Sequence, residues 1–223
     1  MDDSSRPPGG YVRGAIAFVV AFCVYVGMRD HVTPRWEAWL EPSFGPSTGS
    51  GLFLRHLLTF SLLTAAVALA TWWLFARLGW LASPRAWLGF GPEPRRALAI
   101  GAIAGVALSA LVVVVGVALG ERVHFHPDGW SMAGNVFSNY YEEVTYRGLL
   151  MQTAWCATGS RIGGVVLSSA VFGWSHMHGS HALFKAIAVA IAGGVFGALA
   201  IRTRSLGGAW TAHQVSDMIL DSL

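Results

Sequence analysis

Glu142 and Glu143 stand side by side in the run Tyr140-Tyr141-Glu142-Glu143-Val144-Thr145-Tyr146-Arg147-Gly148-Leu149-Leu150, with Arg147 four residues after the second glutamate. On a helix, that spacing brings Glu143 and Arg147 onto one face, where they can pair, and turns Glu142 about 100° away from its neighbour. Glu142 is then free for proton transfer. Two more polar insertions follow, Phe172-Gly173-Trp174-Ser175-His176 and His213-Gln214-Val215-Ser216-Asp217, each with its first and last residue on one helical face. Glu142, His176, His213 and Asp217 make a set of two carboxylates and two imidazoles that can hold and activate water. Glu142 would take the proton, His176 would accept a hydrogen bond from the same water, and His213 would donate to the oxyanion of a hydrolysed amide. Asp217, one turn along from His213, would either fix the tautomer of that imidazole or, if protonated, donate directly. Arg147, paired to Glu143, would brace the helix and balance charge.

The elements that must position these groups belong to a membrane. The chain has 223 residues, 54% hydrophobic and 12% charged, against roughly 25% charged in soluble domains. Apolar stretches recur along almost the whole length, so the expectation is an all-α polytopic transmembrane bundle of about seven helices, built as one integral membrane domain over residues 1–223. Residues 1–134 supply N-terminal helices, and residues 135–223 a catalytic core with its cavity between the C-terminal helices. The plainest spans run from Gly14 to Met28, His56 to Ala76, Ala97 to Gly120 and Ala186 to Ile201. Val136 to Ala157, Ile162 to His176 and Leu206 to Leu220 are less uniformly apolar and carry the polar chemistry, as helices lining a cavity would. Proline and glycine mark loops over Pro34 to Gly51, Leu81 to Glu93 and Glu121 to Gly134.

Basic residues orient the stack. With a cytoplasmic N-terminus, Arg6, Arg13, Arg77, Arg85, Arg95, Arg96, Arg161, Arg202 and Arg204 lie inside, against Arg29, Arg35, Arg55, Arg122 and Lys185 outside, a count of nine to five. The catalytic groups then open toward the extracytoplasmic side. The basic pI reflects membrane-flanking arginines suited to anionic headgroups, and no nucleic-acid motif is present. Cys23 and Cys156 lie in apolar helical sequence and read as small buried hydrophobes.

The three polar insertions in order resemble the CAAX prenyl protease and bacteriocin-processing (CPBP) group of glutamic-type intramembrane proteases. Its pattern of Glu-Glu-x-x-x-Arg, Phe-x-x-x-His and His-x-x-x-Asn/Asp is matched by Glu142 to Arg147, Phe172 to His176 and His213 to Asp217, and Gly208 to Trp210 also looks like the family. The resemblance covers roughly Asn135 to Leu223. It implies that Glu142 and His176 activate water, that His213 and Asp217 form the oxyanion site, and that no metal is needed. The nine-to-five orientation disfavours a cytosolic prenylated tail and favours a membrane-anchored or exported protein or peptide substrate, and a bacterial inner-membrane location is expected. Asp217 is the less favourable variant, because an ionised carboxylate repels an oxyanion that an asparagine amide would bind.

Plainer readings compete. The Glu142, Glu143 and Arg147 group could be a structural ion-pair cluster, and a lone His176 or His213 a satisfied core histidine. His124, His126, His178 and His181 could reach toward zinc, but the His-Glu-x-x-His helix of zinc proteases is absent, and surface histidines are the simpler reading. A non-catalytic immunity or scaffold protein and a proton-relay transporter are the rival functions. Oligomeric state cannot be read from the sequence.

Overall fold

The computed structural model describes residues 10–44, 49–78, 91–120, 122–179 and 181–223. Among these the chain is all-helical, in seven continuous rods. The first joins α1 (Gly10–Gly27) through a π-helical turn (Met28–Val32) to α2 (Thr33–Phe44). α3 (Gly49–Leu78) and α4 (Pro94–Ala118) follow. The fourth rod joins α5 (Gly129–Glu143) through a second π-helical turn (Val144–Leu150) to α6 (Met151–Thr158), and α7 (Arg161–Ser175), α8 (Ala182–Thr203) and α9 (Leu206–Leu220) complete the bundle.

Among the described residues, four helices are long and apolar enough to cross a membrane: Gly10–Phe44, Gly49–Arg77, Pro94–Ala118 and Ala182–Thr203. Three of them contain a plain span read from the sequence, and Pro94–Ala118 covers all but the last two residues of the fourth, Ala97 to Gly120. The chain is an integral membrane protein.

Two loop expectations change. Residues 33–44 are helical, because the wide π turn before Pro34, in which the Thr33 N–H reaches the Met28 carbonyl, absorbs the missing proline donor. The helix expected from Val136 starts at Gly129, because the Asp128 carboxylate caps it by accepting from the backbone of Trp130 at 3.0 Å and Ser131 at 3.3 Å. Most of the loop expected over Leu81 to Glu93 lies outside the described residues.

Small residues set the packing of the last helix. Gly101, Gly105 and Ser109 recur every fourth residue on α4 and face Gly208, Ala212 and Ser216 on α9, so the two helices run parallel. A Cβ on Gly105 would lie 2.6 Å from the Ala212 carbonyl oxygen, a contact that leaves no room for a side chain. This is the small-residue stripe that lets helix backbones approach in lipid, where no hydrophobic effect draws them together.

Alternating rods give the bundle two ends. Gly91 packs beside Arg204 and Ser205, and Gly159 beside Tyr11, at one end. At the other, the backbone N–H of His124 donates to the Leu223 carbonyl at 3.1 Å, and Asn135 donates to Asp221 at 2.8 Å. Arg13, Arg77, Arg95, Arg96, Arg161, Arg202 and Arg204 belong to the first end, with Arg29, Arg35, Arg122 and Lys185 toward the second.

Gly105→Val is expected to destabilise the bundle by about 1–3 kcal/mol through overpacking, measured by thermal unfolding in lipid or detergent, whereas the exposed Val114→Ala change on the same helix costs less than about 0.5 kcal/mol.

Candidate active site

Glu142 and Glu143 end α5, just before the second π-helical turn, and diverge as consecutive helical residues must. Glu143 is fully buried, and its Oε1 lies 3.2 Å from Arg147 Nη1, the pairing expected from the i,i+4 spacing. The same Oε1 is 2.9 Å from Nδ1 of His213 on α9. A carboxylate paired to arginine can only accept, so Nδ1 of His213 carries the proton and donates.

His213 turns its other nitrogen to the remaining two carboxylates. Nε2 is 3.8 Å from Glu142 Oε2 and 3.6 Å from Asp217 Oδ2, within ionic contact but longer than a direct hydrogen bond. The imidazole is thus straddled by two glutamates adjacent in sequence. Glu143, and not Asp217, holds the tautomer-setting nitrogen. His213 and Glu143 are buried, whereas the Glu142 and Asp217 side chains keep 27% and 30% exposure, so the reactive side of the ring faces the accessible part of the cluster.

Arg147 is held on several sides. Nη2 donates to the Gly193 carbonyl on α8 at 3.1 Å, and the guanidinium lies over the rings of Phe172 at 4.6 Å and Phe196 at 5.3 Å. Gly193 is required for this approach, since a Cβ there would sit 3.0 Å from the Phe172 ring and 3.2 Å from Nη2. Phe196 also stacks on His213, with ring centroids 4.9 Å apart and an interplanar angle of 24°.

His176 caps the C-terminal end of α7, half-buried. It shares a wall with His213: both imidazoles meet the Phe172 ring edge-on, at centroid distances of 4.8 and 5.6 Å. Nδ1 of His176 is 2.9 Å from the Phe172 carbonyl oxygen, which only accepts, so Nδ1 bears hydrogen and Nε2 carries the lone pair. Ser175 Oγ, 3.1 Å from the same Nδ1, donates to Phe172 O at 2.7 Å and accepts from the Tyr146 hydroxyl at 2.8 Å. Tyr146 in turn meets the hydroxyl of Tyr25 on α1. This chain of hydroxyls from the first helix to His176 escaped sequence reasoning. Its only signal was a tyrosine inside an apolar span, where a buried phenol needs a partner.

Neighbouring contacts lock α5 to α9. Asn139 donates to Gln214 at 3.1 Å, Gln214 to the Met132 carbonyl at 3.1 Å, and Trp210 to the Val136 carbonyl at 3.2 Å. The other histidines remain apart: among the described residues no three His, Cys, Asp or Glu groups are placed to hold a metal ion, and the His124 and His126 rings are 6.4 Å apart.

The family model for type II CAAX prenyl endopeptidase Rce1-like proteins matches residues 103–219, just over half of the chain, a range that includes Glu142, Glu143, Arg147, His176, His213 and Asp217. The chain belongs to that family. No match was found among curated proteins or among solved structures.

Two outcomes are expected. Arg147→Met strands the Glu143 carboxylate in the core and lowers stability by about 3–5 kcal/mol in equilibrium unfolding. Histidine 15N spectra of the protein in lipid place hydrogen on Nδ1 of His176, and because the acceptor is the Phe172 backbone carbonyl the same tautomer persists in the Ser175→Ala, Tyr146→Phe variant.

Proposed function

We propose that the protein is an intramembrane endopeptidase that hydrolyses a peptide bond by glutamate-activated water. The observation that carries this reading is the placement of His213, held through Nδ1 by buried Glu143 while Nε2 faces Glu142 and Asp217. Water bound between Glu142 and the Nε2 lone pair of His176 loses a proton to Glu142, and its oxygen attacks the carbonyl carbon of the substrate. The resulting oxyanion accepts a hydrogen bond from Nε2–H of His213, a step that requires the ring to carry hydrogen on both nitrogens. Glu142 then hands its proton to the departing amine as the C–N bond breaks, leaving one new carboxylate and one new amine. Arg147 is a positioning residue that acts through Glu143.

Asp217 has a double bearing on this scheme. As a carboxylate it balances the imidazolium, yet it competes with the oxyanion for the same Nε2–H. An asparagine at that position removes the competition and adds an N–H donor.

The substrate, in this reading, is a membrane-anchored or exported protein. Glu142 lies midway along its rod, while His176 and Asp217 sit toward the end that carries Arg29, Arg35 and Lys185. The nine-to-five basic bias assigns that end to the extracytoplasmic face. Removal of a C-terminal membrane anchor fits a site at this depth better than attack on a cytosolic tail.

Glu142→Gln is expected to lower cleavage about 10²–10⁴-fold while leaving the fold intact. Comparing the membrane proteomes of wild-type and Glu142→Gln cells tests this, with accumulation of tail-bearing precursors expected. Unchanged precursor levels would point to the scaffold reading. Asp217→Asn is expected to cleave at least as fast as wild type, and Asp217→Ala more slowly, in a purified assay on the precursor so identified.

A further inference from the structure

The end of the bundle remote from His176 holds a concave pocket of 270 Å³, lined by Glu93, Arg96, Ala97, Ile100, Arg202 and Arg204 among others. It lies where two membrane spans reach their limits, the start of Pro94–Ala118 and the finish of Ala182–Thr203. Such a position is at the depth of lipid headgroups. None of its residues enters the chemistry proposed above, so it stands or falls separately.

Charge in the pocket is one-sided. Its one carboxylate, Glu93, is taken up by Arg96 at 2.9 Å, and among the described residues the guanidinium groups of Arg202 and Arg204 form no ion pair. The first turn of α4 opens on the same space. Pro94 supplies no N–H and that of Ala97 donates to the Glu93 carbonyl at 3.0 Å, but the N–H groups of Arg95 and Arg96 precede the first turn's intrahelical bonds and add partial positive charge. Ala97, itself buried, and Ile100 give the pocket an apolar side.

The backbone at the pocket's edge is left-handed. Arg204 occupies the left-handed position that ends α8, with φ 53° and ψ 36°. Its N–H and that of Ser205 return to Ile201 and Ala200, a helix stop that glycine makes without steric cost. An arginine at this position brings backbone strain and no benefit to the turn.

We propose that this pocket binds the phosphate of an anionic phospholipid headgroup, with Arg202 and Arg204 as the principal cations, Arg96 and the α4 N-terminus alongside, and the lipid's apolar portion following Ala97 and Ile100. Basic pockets between spans at the membrane surface suit such headgroups, and each arginine contributes about a fivefold factor in affinity. A zwitterionic headgroup leaves the surplus positive charge uncompensated and binds more weakly.

The test uses the full purified chain in detergent, titrated with phosphatidylglycerol or phosphatidylcholine and read by native mass spectrometry. Phosphatidylglycerol is expected to bind in preference to phosphatidylcholine. Arg202→Gln combined with Arg204→Gly is expected to weaken phosphatidylglycerol binding roughly thirtyfold, and Arg202→Gln alone about fivefold. Arg204→Gly relieves the left-handed strain, so thermal stability measured without lipid is expected to hold or rise as binding falls. A double change of the same charge at the same end, Arg13→Gln with Arg77→Gln, is expected to have little effect. Equal loss in that control would reduce the effect to general surface charge and overturn the site. Equal binding of the two lipids would also overturn it, as would displacement of phosphatidylglycerol by millimolar inorganic phosphate, which would assign the pocket to a soluble anion.

Discussion

The site depends on one imidazole placed between two consecutive glutamates. Glu143 holds Nδ1 of His213 at 2.9 Å, and Glu142 stands 3.8 Å from Nε2 on the other side. Side chains adjacent on a helix diverge by about 100°, so a single ring can meet both only if its own helix crosses at that turn and lies close. The crossing is secured from behind, where the small residues of α4 admit α9 at backbone contact, and from the front, where Asn139, Trp210 and Gln214 tie α5 to α9. Loosening either side would separate the imidazole from its carboxylates.

Burial divides the cluster into two tiers. The inner tier, Glu143, Arg147 and His213, is closed off by Phe172, Phe196 and the Gly193 carbonyl, so its charges meet opposite charge, a hydrogen-bond acceptor or an aromatic face. A buried pair of this kind adds little net stability over an apolar replacement, but losing one partner is severe. Its worth to the molecule is orientation. The outer tier, Glu142, Asp217 and His176, is half-buried, the side on which the proposed reaction would admit water and a peptide. The long apolar helices expose most of their surface, which suits lipid contact, while the less apolar α5, α7 and α9 supply the residues of the proposed catalytic set.

Much of this was legible in the residues themselves. The i,i+4 spacing of Glu143 and Arg147 foretold their pairing, and the hydropathy pattern foretold the four long spans and the three polar-lined rods. The His213 contact to Glu143 was not legible, because spacing reports which residues share a face and not which faces meet. Asp217, one turn from His213 on the same helix, was the nearer partner by sequence, yet the crossing of α5 gives Nδ1 to Glu143. The chain from Tyr25 through Tyr146 and Ser175 to His176 was hidden for the same reason, since it joins helices far apart in sequence. The helical course of residues 33–44 was missed because two prolines read as a loop, and the π turn that accommodates the first of them leaves no compositional mark. Asp128 before Gly129 was a cap signal in plain view, outweighed by the glycine and proline around it.

The most direct test of the account is a double-mutant cycle between Glu143 and His213, with Glu143→Gln, His213→Ala and their combination compared by equilibrium unfolding in lipid. A contact of this kind between buried groups is expected to give a coupling of about 1–3 kcal/mol. Single-variant costs that add to within about 0.3 kcal/mol would mean that the two side chains do not meet, and the site as described would not exist.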